Sequence, residues 1–179
     1  MRSEGATGRG RPRVDIDQAI DLIESEGAEI FDVEIRRGVE ADAGSCAAIF
    51  NAWADATEWM PRVHPPEDVA RHYREHVFAT CRVLAAERDG AVAGFLAVDG
   101  EGFVAALFVA EAARGQGVGA ALLDAAKALR PEGLTLWTFA ANAGARRFYG
   151  RHGFVEAGRA AGENEEGLPD VMLTWRGAA

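Results

Sequence analysis

The stretch RGQGVGAALL, residues 114–123, places three glycines at alternate positions directly before an apolar run. Glycine loses more conformational freedom on folding than other residues, so such a cluster favours a close approach of a ligand or a neighbouring element to the backbone. The residues after it repeat at the helical spacing i, i+4, i+7 and i+11, at Val118, Leu122, Ala125 and Leu129. An apolar strand over residues 103–109 precedes it. The glycines therefore occupy a strand-to-helix turn, where free N–H groups and the helix dipole create an anion site.

Two familiar phosphate-binding patterns fit this turn less well. The nucleoside-triphosphate loop requires a Lys-Ser/Thr pair after its last glycine, and none follows here. Gly115, Gly117 and Ala120 match the G-x-G-x-x-A pattern of dinucleotide-binding domains, but that motif opens its domain and is followed by a strand with an acidic end. The next strand of this chain instead carries LWT at residues 136–138. Besides an anion site, the residues leave open a tight turn that only packs its helix closely.

Composition and charge favour one domain that does not bind nucleic acid. The 179 residues are 49% hydrophobic, enough to bury a core, and their formal net charge is −9, which suits a cationic substrate. No apolar run approaches the ~20 residues of a membrane span, and no apolar segment follows the N-terminal arginines. We therefore expect a cytoplasmic protein without membrane contact. Cys46 and Cys81 lie in apolar surroundings and predict two buried thiols rather than a disulfide.

The sequence divides into an N-terminal extension and one main domain. Residues 1–30 begin with glycines and arginines, a composition that predicts a flexible basic arm. Within the extension, Ile16, Ile20 and Ile23 recur at helical spacing and predict a short amphipathic helix. This helix is a candidate contact for a second copy of the chain in a homodimer. The main domain covers residues 31–179.

The main domain is predicted to mix strands and helices. The apolar runs predict strands around residues 33–36 and over residues 81–88, 91–98, 103–109, 134–139, 154–158 and 171–175. Asp89-Gly90 closes the hairpin between the second and third of these strands. Asp42 is the candidate N-cap of a helix with an apolar stripe, and the Pro65-Pro66 pair begins another helix.

Two motifs in this order resemble the GNAT superfamily, the acyl-CoA-dependent N-acyltransferases. RGQGVG at residues 114–119 matches the family signature Q/R-x-x-G-x-G/A, and NAGARRFYGRHGF at residues 142–154 is similar to the family's second landmark. The resemblance covers about residues 31–175. It implies a single-domain α/β (α+β) fold, in which a mixed, mostly antiparallel sheet is flanked by helices and splayed at the cofactor cleft.

The resemblance implies acetyl-CoA as the cofactor, with its pyrophosphate on the glycine turn. The pantetheine contacts would come from the backbone of Phe108 and Val109, and a backbone N–H near Val109 would polarise the thioester carbonyl. The residues expected around the phosphates are Arg114, Gly115, Gln116, Gly117, Val118, Gly119 and Ala120. Asn142 is a good N-cap by sequence alone, and by resemblance it would also bind the pantetheine arm.

Catalytic candidates are clearer for the acid than for the base. Tyr149 is expected to protonate the departing thiolate. This role requires that Phe148, about 100° away on the same helix, packs into the core. The alternative is that Tyr149 is itself a second aromatic residue that only packs. Many relatives carry an acid in the strand before the glycine turn, where residues 104–106 are VAA here. Glu101, at the strand entrance, is our candidate base through a water molecule. Asp170 in a flanking loop is a further possibility.

The loop TEWMPRVH, residues 57–64, occupies the place where relatives build the acceptor pocket. Its Glu58, Trp59 and His64 are therefore candidate acceptor-binding residues, and Glu58 and His64 are also possible bases. The expected function is transfer of an acetyl group from acetyl-CoA to a primary amine by direct attack. The acceptor is either a small-molecule amine or a protein amine.

Two other functions remain open from the sequence. The same fold would serve as a non-catalytic acyl-CoA-binding or sensor module, which the missing strand acid keeps open. A zinc hydrolase is suggested by HYREH, residues 72–76, since H-x-x-E-H places two histidines one helical turn apart. No convincing third ligand follows it, so we expect no metal.

Overall fold

The computed structural model describes residues 33–178. The predicted basic arm and amphipathic helix of the N-terminal extension lie outside the described residues. Two antiparallel sheets form the body of the domain, and helices cover their faces. This arrangement confirms the predicted mixed, mostly antiparallel fold.

The first sheet has the strand order β1-β2-β3-β4. Its strands are β1 Glu34–Arg37, β2 Arg82–Arg88, β3 Ala91–Val98 and β4 Val104–Val109. Asp89 and Gly90 both have positive φ, 52° and 75°, and close the predicted β2–β3 hairpin. Those angles suit the tight turn whose twist matches that of the flanking strands.

The second sheet has the order β5-β7-β6, with β5 Gly133–Phe139, β6 Val155–Ala160 and β7 Asp170–Arg176. The two sheets meet where Phe103 and Thr135 form an isolated parallel bridge, and Thr135 N–H donates to the Gly102 carbonyl at 3.0 Å. Gly102 has φ 88°, and a Cβ there would lie 2.8 Å from the Gly133 carbonyl oxygen. Only glycine fits this close backbone approach. Beyond the bridge, β4 and β5 belong to separate sheets and leave a cleft between them.

Helices pack on both faces of the first sheet. They are α1 Ala43–Ala56 and α2 Pro66–His72 on one face and α3 Val118–Leu129 on the other. A fourth helix, α4 Ala143–Arg151, packs against the start of α3 through Phe148. The predicted apolar stripe of α3 is confirmed, since Val118, Leu122, Ala125 and Leu129 are all buried in the larger core cluster. A second cluster lies under α1 and α2 on the opposite face and contains the fully buried Cys46 and Phe95.

The helix that begins at Pro66 continues past α2 through a π-helical turn, Tyr73–Val77, and a last helical turn, Phe78–Thr80. The π turn does not change which face is buried, because Val69, Tyr73 and Val77 all lie in the second core cluster. Their spacing of four residues is the pattern of one continuous buried helix face.

Two local predictions need correction. Asp42 stands at the N-cap position of α1 but makes no capping hydrogen bond. A short 3-10 turn, Glu40–Asp42, precedes α1, and the carboxylate accepts instead from the Val39 N–H at 2.8 Å and from both terminal nitrogens of Arg36 at 2.8 and 3.0 Å. Of the two free cysteines, Cys46 is buried but Cys81 is only half-buried, at the end of the helical segment.

Replacing Asp42 with Asn is expected to lower the free energy of unfolding by about 2 kcal/mol at pH 7, because hydrogen bonds to a charged group contribute about 1.5–3 kcal/mol. The Arg36 guanidinium holds the pKa of Asp42 below its ordinary value in the folded protein. The stabilisation is therefore complete above the unfolded pKa of about 4 and is lost as the pH falls through the folded pKa. Denaturant unfolding of both proteins between pH 7 and pH 2 measures this difference.

Asp68→Asn is the matched control, since Asp68 pairs with Arg71 on an exposed helix surface. Its effect should stay within about 0.5 kcal/mol. A loss in Asp42→Asn that does not shrink at low pH would contradict the role given to the charge.

Candidate active site

The glycine turn places a row of unpaired backbone donors at the start of α3. Gly115 and Gly117 adopt left-handed conformations, with φ 71° and 83°, and Gly117 is the N-cap of the helix. The first helical bond runs from the Ala121 N–H to the Gly117 carbonyl at 3.0 Å. Within residues 33–178, the N–H groups of residues 115–120 have no hydrogen-bond partner. Such donors at a helix N-terminus are the groups that a pyrophosphate requires.

Side chains around the turn hold its shape and leave these donors uncovered. The Gln116 amide donates to the Ala112 carbonyl at 3.0 Å and accepts from Arg88 at 2.6 Å. Arg114 donates through Nε to the Val109 carbonyl at 3.1 Å, and the residue remains exposed. Arg114 therefore brings positive charge to the junction of β4 and the turn. Both side chains lie where the sequence predicts cofactor contacts.

The open edge of β4 presents Val109 rather than Phe108 to the cleft. The Ala110 N–H donates to Ala93 of β3 at 2.8 Å, so the alternation of a strand directs the Val109 N–H away from β3. The bond between Arg114 and the Val109 carbonyl fits the same orientation. By the same alternation the backbone groups of Phe108 face β3, and its ring packs against the second core cluster.

Helix α4 brings the second predicted motif to the opposite wall. The Asn142 side chain accepts from the Ala145 N–H at 3.0 Å, so its predicted capping role is confirmed. Its amide nitrogen donates to none of the described residues. A Cβ built on Gly119 would lie 3.4 Å from the Phe148 ring and 3.7 Å from Val109, so α4 packs closely over the glycine turn.

The sequence prediction assumed that Phe148 of α4 is buried in the core and that the adjacent Tyr149 faces the cleft, and the structure shows the opposite degrees of burial. Tyr149 lies in the larger core with 8% exposure, whereas Phe148 is half-buried over the turn. The helix turns Tyr149 towards Phe154, with 5.3 Å between ring centroids. Burial raises the pKa of Tyr149, so the phenol stays protonated at neutral pH.

The Tyr149 oxygen has no hydrogen-bond partner in the described part of the chain. Among those residues, Asp170 Oδ1 is the buried side-chain polar atom that lacks a partner. The phenol oxygen of Tyr149 is not one of these buried, unpaired atoms, so a small part of its surface is exposed to solvent although the ring is buried. The hydroxyl is therefore an unpaired donor carried by a core residue.

Four rings span the cleft on the side of α1. The Trp53 ring lies 5.1 Å from that of Phe108 and 6.0 Å from that of Trp59, whose ring in turn lies 5.7 Å from that of Phe139. We call these four residues the aromatic arch, since they connect the end of β4 to the end of β5. Sequence patterns indicated only Trp59 here, because Trp53 belongs to an apolar helical stripe and Phe139 to a strand.

The other acceptor-side candidates lie apart from one another. His64 Nε2 is 2.8 Å from Glu165 Oε2, which links the α1–α2 loop to the β6–β7 loop. Glu58 is exposed in the α1–α2 loop. Glu101 is exposed in the β3–β4 turn, ahead of the Phe103–Thr135 bridge and therefore at the closed end of the cleft.

Asp170, at the start of β7, has one satisfied and one unsatisfied carboxylate oxygen. Oδ2 accepts from the Asn164 amide at 3.1 Å, whereas Oδ1 is buried without a donor. Asp170 lies opposite Phe139 of the aromatic arch in the β5–β7 register. The role of Asn164 in holding this carboxylate could not be predicted from the sequence, because the contact depends on the fold of the β6–β7 loop.

The histidine motif does not gather a metal-ligand set. His72 and His76 stack with 5.1 Å between ring centroids, and burial and the neighbouring His76 lower the pKa of His72. Across residues 33–178, no group of three or more His, Cys, Asp or Glu side chains is arranged to hold a metal ion. The geometry therefore gives no support to a zinc hydrolase. In the same part of the chain, no helix has the length and apolar character needed to cross a membrane.

Comparison with known proteins places this geometry among the acetyltransferases. Residues 79–156 match the family model described as the acetyltransferase (GNAT) domain. The peptidyl-lysine N-acetyltransferase YiaC of Escherichia coli (strain K12) is 29% identical over 141 residues, which cover 76% of this chain and 94% of YiaC.

Solved structures give the same result for the fold. The apo form of YjaB from Escherichia coli is 26% identical and superposes with a TM-score of 0.67, covering 82% of this chain and 99% of YjaB. The yncA structure from Salmonella typhimurium, which contains its cofactor acetyl-CoA, is 20% identical with a TM-score of 0.63, covering 82% of this chain and 95% of that one.

The family match, the relatives and the uncovered glycine turn beside a splayed sheet agree with one another. They bear out the resemblance of RGQGVG and of the second motif to the GNAT superfamily, whose acetyltransferase domain this chain matches over residues 79–156.

Proposed function

We propose that this enzyme transfers the acetyl group of acetyl-CoA to the side-chain amine of a lysine in a protein or peptide. The observation that carries the proposal is the row of unpaired N–H groups at residues 115–120, next to the cleft-facing backbone of Val109. YiaC, which acts on peptidyl lysine, supports the choice of acceptor. A small-molecule amine is the alternative acceptor.

The residues around the turn fit acetyl-CoA. The N–H groups of residues 115–120 and the positive end of α3 would hold the pyrophosphate, and Arg114 would add a positive charge. The free amide nitrogen of Asn142 suits a carbonyl of the pantetheine arm. When bound, acetyl-CoA supplies the acetyl group as an activated thioester. The Val109 N–H is the donor placed to bind the carbonyl oxygen of that thioester.

Tyr149 is the proposed proton donor for the departing thiolate. Its raised pKa keeps the proton on the phenol, and its oxygen has no hydrogen-bond partner among the described residues. A residue with these two properties can donate to a thiolate that forms within hydrogen-bond reach. Glu101 remains the proposed base, but it lies ahead of the Phe103–Thr135 bridge, about 20 Å of extended strand from Val109, so it would act through a chain of water molecules rather than a single one.

The acceptor side is proposed to hold the lysine between the two flanking loops. Trp59 and Phe139 of the aromatic arch offer apolar faces to a methylene chain, and aromatic faces also attract a cation. Glu58 and His64 lie on the same loop as Trp59, so they are proposed to contact the acceptor outside the arch. The net charge of −9 favours encounter with a cationic acceptor.

Replacing Gly117 with Val is expected to abolish acetyl-CoA binding, because a branched side chain disfavours the φ of 83° and covers the donors of the turn. The measurement is the thermal midpoint with and without acetyl-CoA, with NAD as the ligand control. For the wild-type protein, ligand at 100 times its dissociation constant adds about 2.7 kcal/mol of stability, and the variant should gain none.

Gly90→Val is the matched control, since Gly90 has a similar φ of 75° in a distant hairpin. It should lose stability through the same backbone strain yet keep the full shift with acetyl-CoA. A wild-type protein that shows no shift at saturating acetyl-CoA would overturn the proposed function.

Replacing Tyr149 with Phe is expected to lower kcat about 100-fold while leaving the acetyl-CoA thermal shift unchanged, since a general acid contributes about 10²–10⁴-fold. Release of free thiol with a lysine-containing peptide measures the rate. Tyr73→Phe is the matched control, because Tyr73 is also a buried tyrosine but lies in the second core cluster. Turnover that is equal in Tyr149→Phe and the wild-type protein would remove Tyr149 as the acid.

A further inference from the structure

Asp170 carries a buried carboxylate oxygen that receives no hydrogen bond. Among residues 33–178, its Oδ1 is the side-chain nitrogen or oxygen that is shielded from solvent without a partner. Removing a carboxylate oxygen from water costs free energy unless a donor replaces the lost water. An unsatisfied acceptor of this kind therefore indicates a place for a donor that arrives with a ligand.

The β6–β7 loop holds this carboxylate in a fixed orientation. Asn164 donates from its amide to Asp170 Oδ2 at 3.1 Å and to the Leu168 carbonyl at 2.7 Å. The amide oxygen of Asn164 accepts the Leu168 N–H at 3.1 Å. Because Asn164 is tied at both ends to its own loop, the bond to Oδ2 fixes the direction in which Oδ1 points.

The strand register places Asp170 on the face that carries the aromatic arch. Asp170 pairs with Phe139 of β5 and with Ala160 of β6, and directly opposed residues of antiparallel strands share a face. The next residue, Val171, is fully buried in the larger core on the other face. The ring centroids of Phe139 and Trp59 are 5.7 Å apart, so Asp170 lies on the acceptor side of the second sheet.

The basic side chains of the neighbouring loop and of β6 bond to other carboxylates. Arg62 of the α1–α2 loop pairs with Asp55. His64 of the same loop pairs with Glu165, and Arg159 of β6 pairs with Glu156. None of these cations bonds Asp170. No basic side chain among these bonds Oδ1, so this oxygen remains without a donor from the described residues.

We infer that Asp170 binds the ammonium group of the acceptor lysine through Oδ1, while Trp59 and Phe139 pack against its methylene chain. This inference rests on the proposed function for the identity of the acceptor. A fixed carboxylate with one oxygen shielded from solvent favours a charged acceptor over a neutral one of the same shape, because a neutral group leaves that oxygen unpaired. Asp170 is thus a specificity-determining residue of the acceptor site.

The test is a cycle of two proteins and two peptides. The wild-type protein and Asp170→Asn, both saturated with CoA, are titrated calorimetrically with an N-acetylated peptide that contains one lysine and with the same peptide carrying norleucine instead. The wild-type protein should bind the lysine peptide about 10- to 100-fold more tightly, the range for a hydrogen bond to a charged group. Asp170→Asn should bind the two peptides about equally.

The substitution isolates the charge from the shape of the site. In Asp170→Asn the amide oxygen can still accept from Asn164, which leaves an NH₂ group at the place of Oδ1. Glu166→Gln removes the same charge from the same loop and should retain the preference for lysine within about twofold. An unchanged acetyl-CoA thermal shift in Asp170→Asn confirms that the variant is folded.

Two results would overturn the inference: a preference for lysine that is the same in the wild-type protein and in Asp170→Asn, or a wild-type protein that shows no such preference. The binding cycle involves no acetyl transfer, so its failure can be distinguished from a failure of the proposed function. A protein that distinguishes the peptides through Asp170 but releases no thiol from acetyl-CoA would reject the proposed function and keep this inference.

Discussion

The separation of β4 from β5 is the constraint on which the site depends. The two strands meet at the Phe103–Thr135 bridge, where Gly102 and Gly133 allow the backbones to touch, and then enter different sheets. If β5 continued to pair with β4, the Val109 N–H would be used within the sheet. Because the strands diverge, the backbone groups at this edge of β4 stay unpaired with any other described strand, while the hydrophobic clusters on both faces of the sheet remain buried.

The cleft also collects hydrogen-bonding groups that the fold leaves unused. Donors are unpaired at the glycine turn, a hydroxyl is unpaired at Tyr149, and an acceptor is unpaired at Asp170. Of these groups, the Asp170 oxygen is buried, and native folds pair nearly all of their buried polar groups, so this exception needs an explanation. Hydrogen-bond donors and acceptors lie at different places along the cleft. Donors face the proposed anionic cofactor, and the acceptor faces the proposed cationic substrate.

Sequence patterns predicted the fold well because its elements depend on local rules. The Asp89-Gly90 hairpin, the buried stripe of α3 and the capping by Asn142 follow from turn geometry, helical period and side-chain length. The predicted glycine turn rests on the same kind of information. The family resemblance then supplied the cofactor, which spacing alone could not identify.

Predictions that depended on tertiary contacts were weaker. Asp42 looked like a helix cap, but Arg36 of a neighbouring strand competes for its carboxylate. Adjacent aromatics on one helix cannot be assigned to core or cleft without knowing the helix rotation, and Tyr149 proved the more buried of the pair. The position of Asp170 depends on a hydrogen bond from Asn164 of the β6–β7 loop and on its pairing with Phe139 of β5. None of these contacts leaves a periodic signal in the sequence.

The protonation state of the two cysteines determines whether they react with the CoA that the reaction releases. Burial raises the pKa of Cys46 to about 12 and also raises that of Cys81, so both remain thiols at neutral pH. Disulfide exchange requires a thiolate, and these two are the cysteines of the whole chain. The thiolate form that would react with oxidised CoA is therefore disfavoured at both positions. Ellman-type reagents added during turnover should accordingly report the released coenzyme rather than the enzyme.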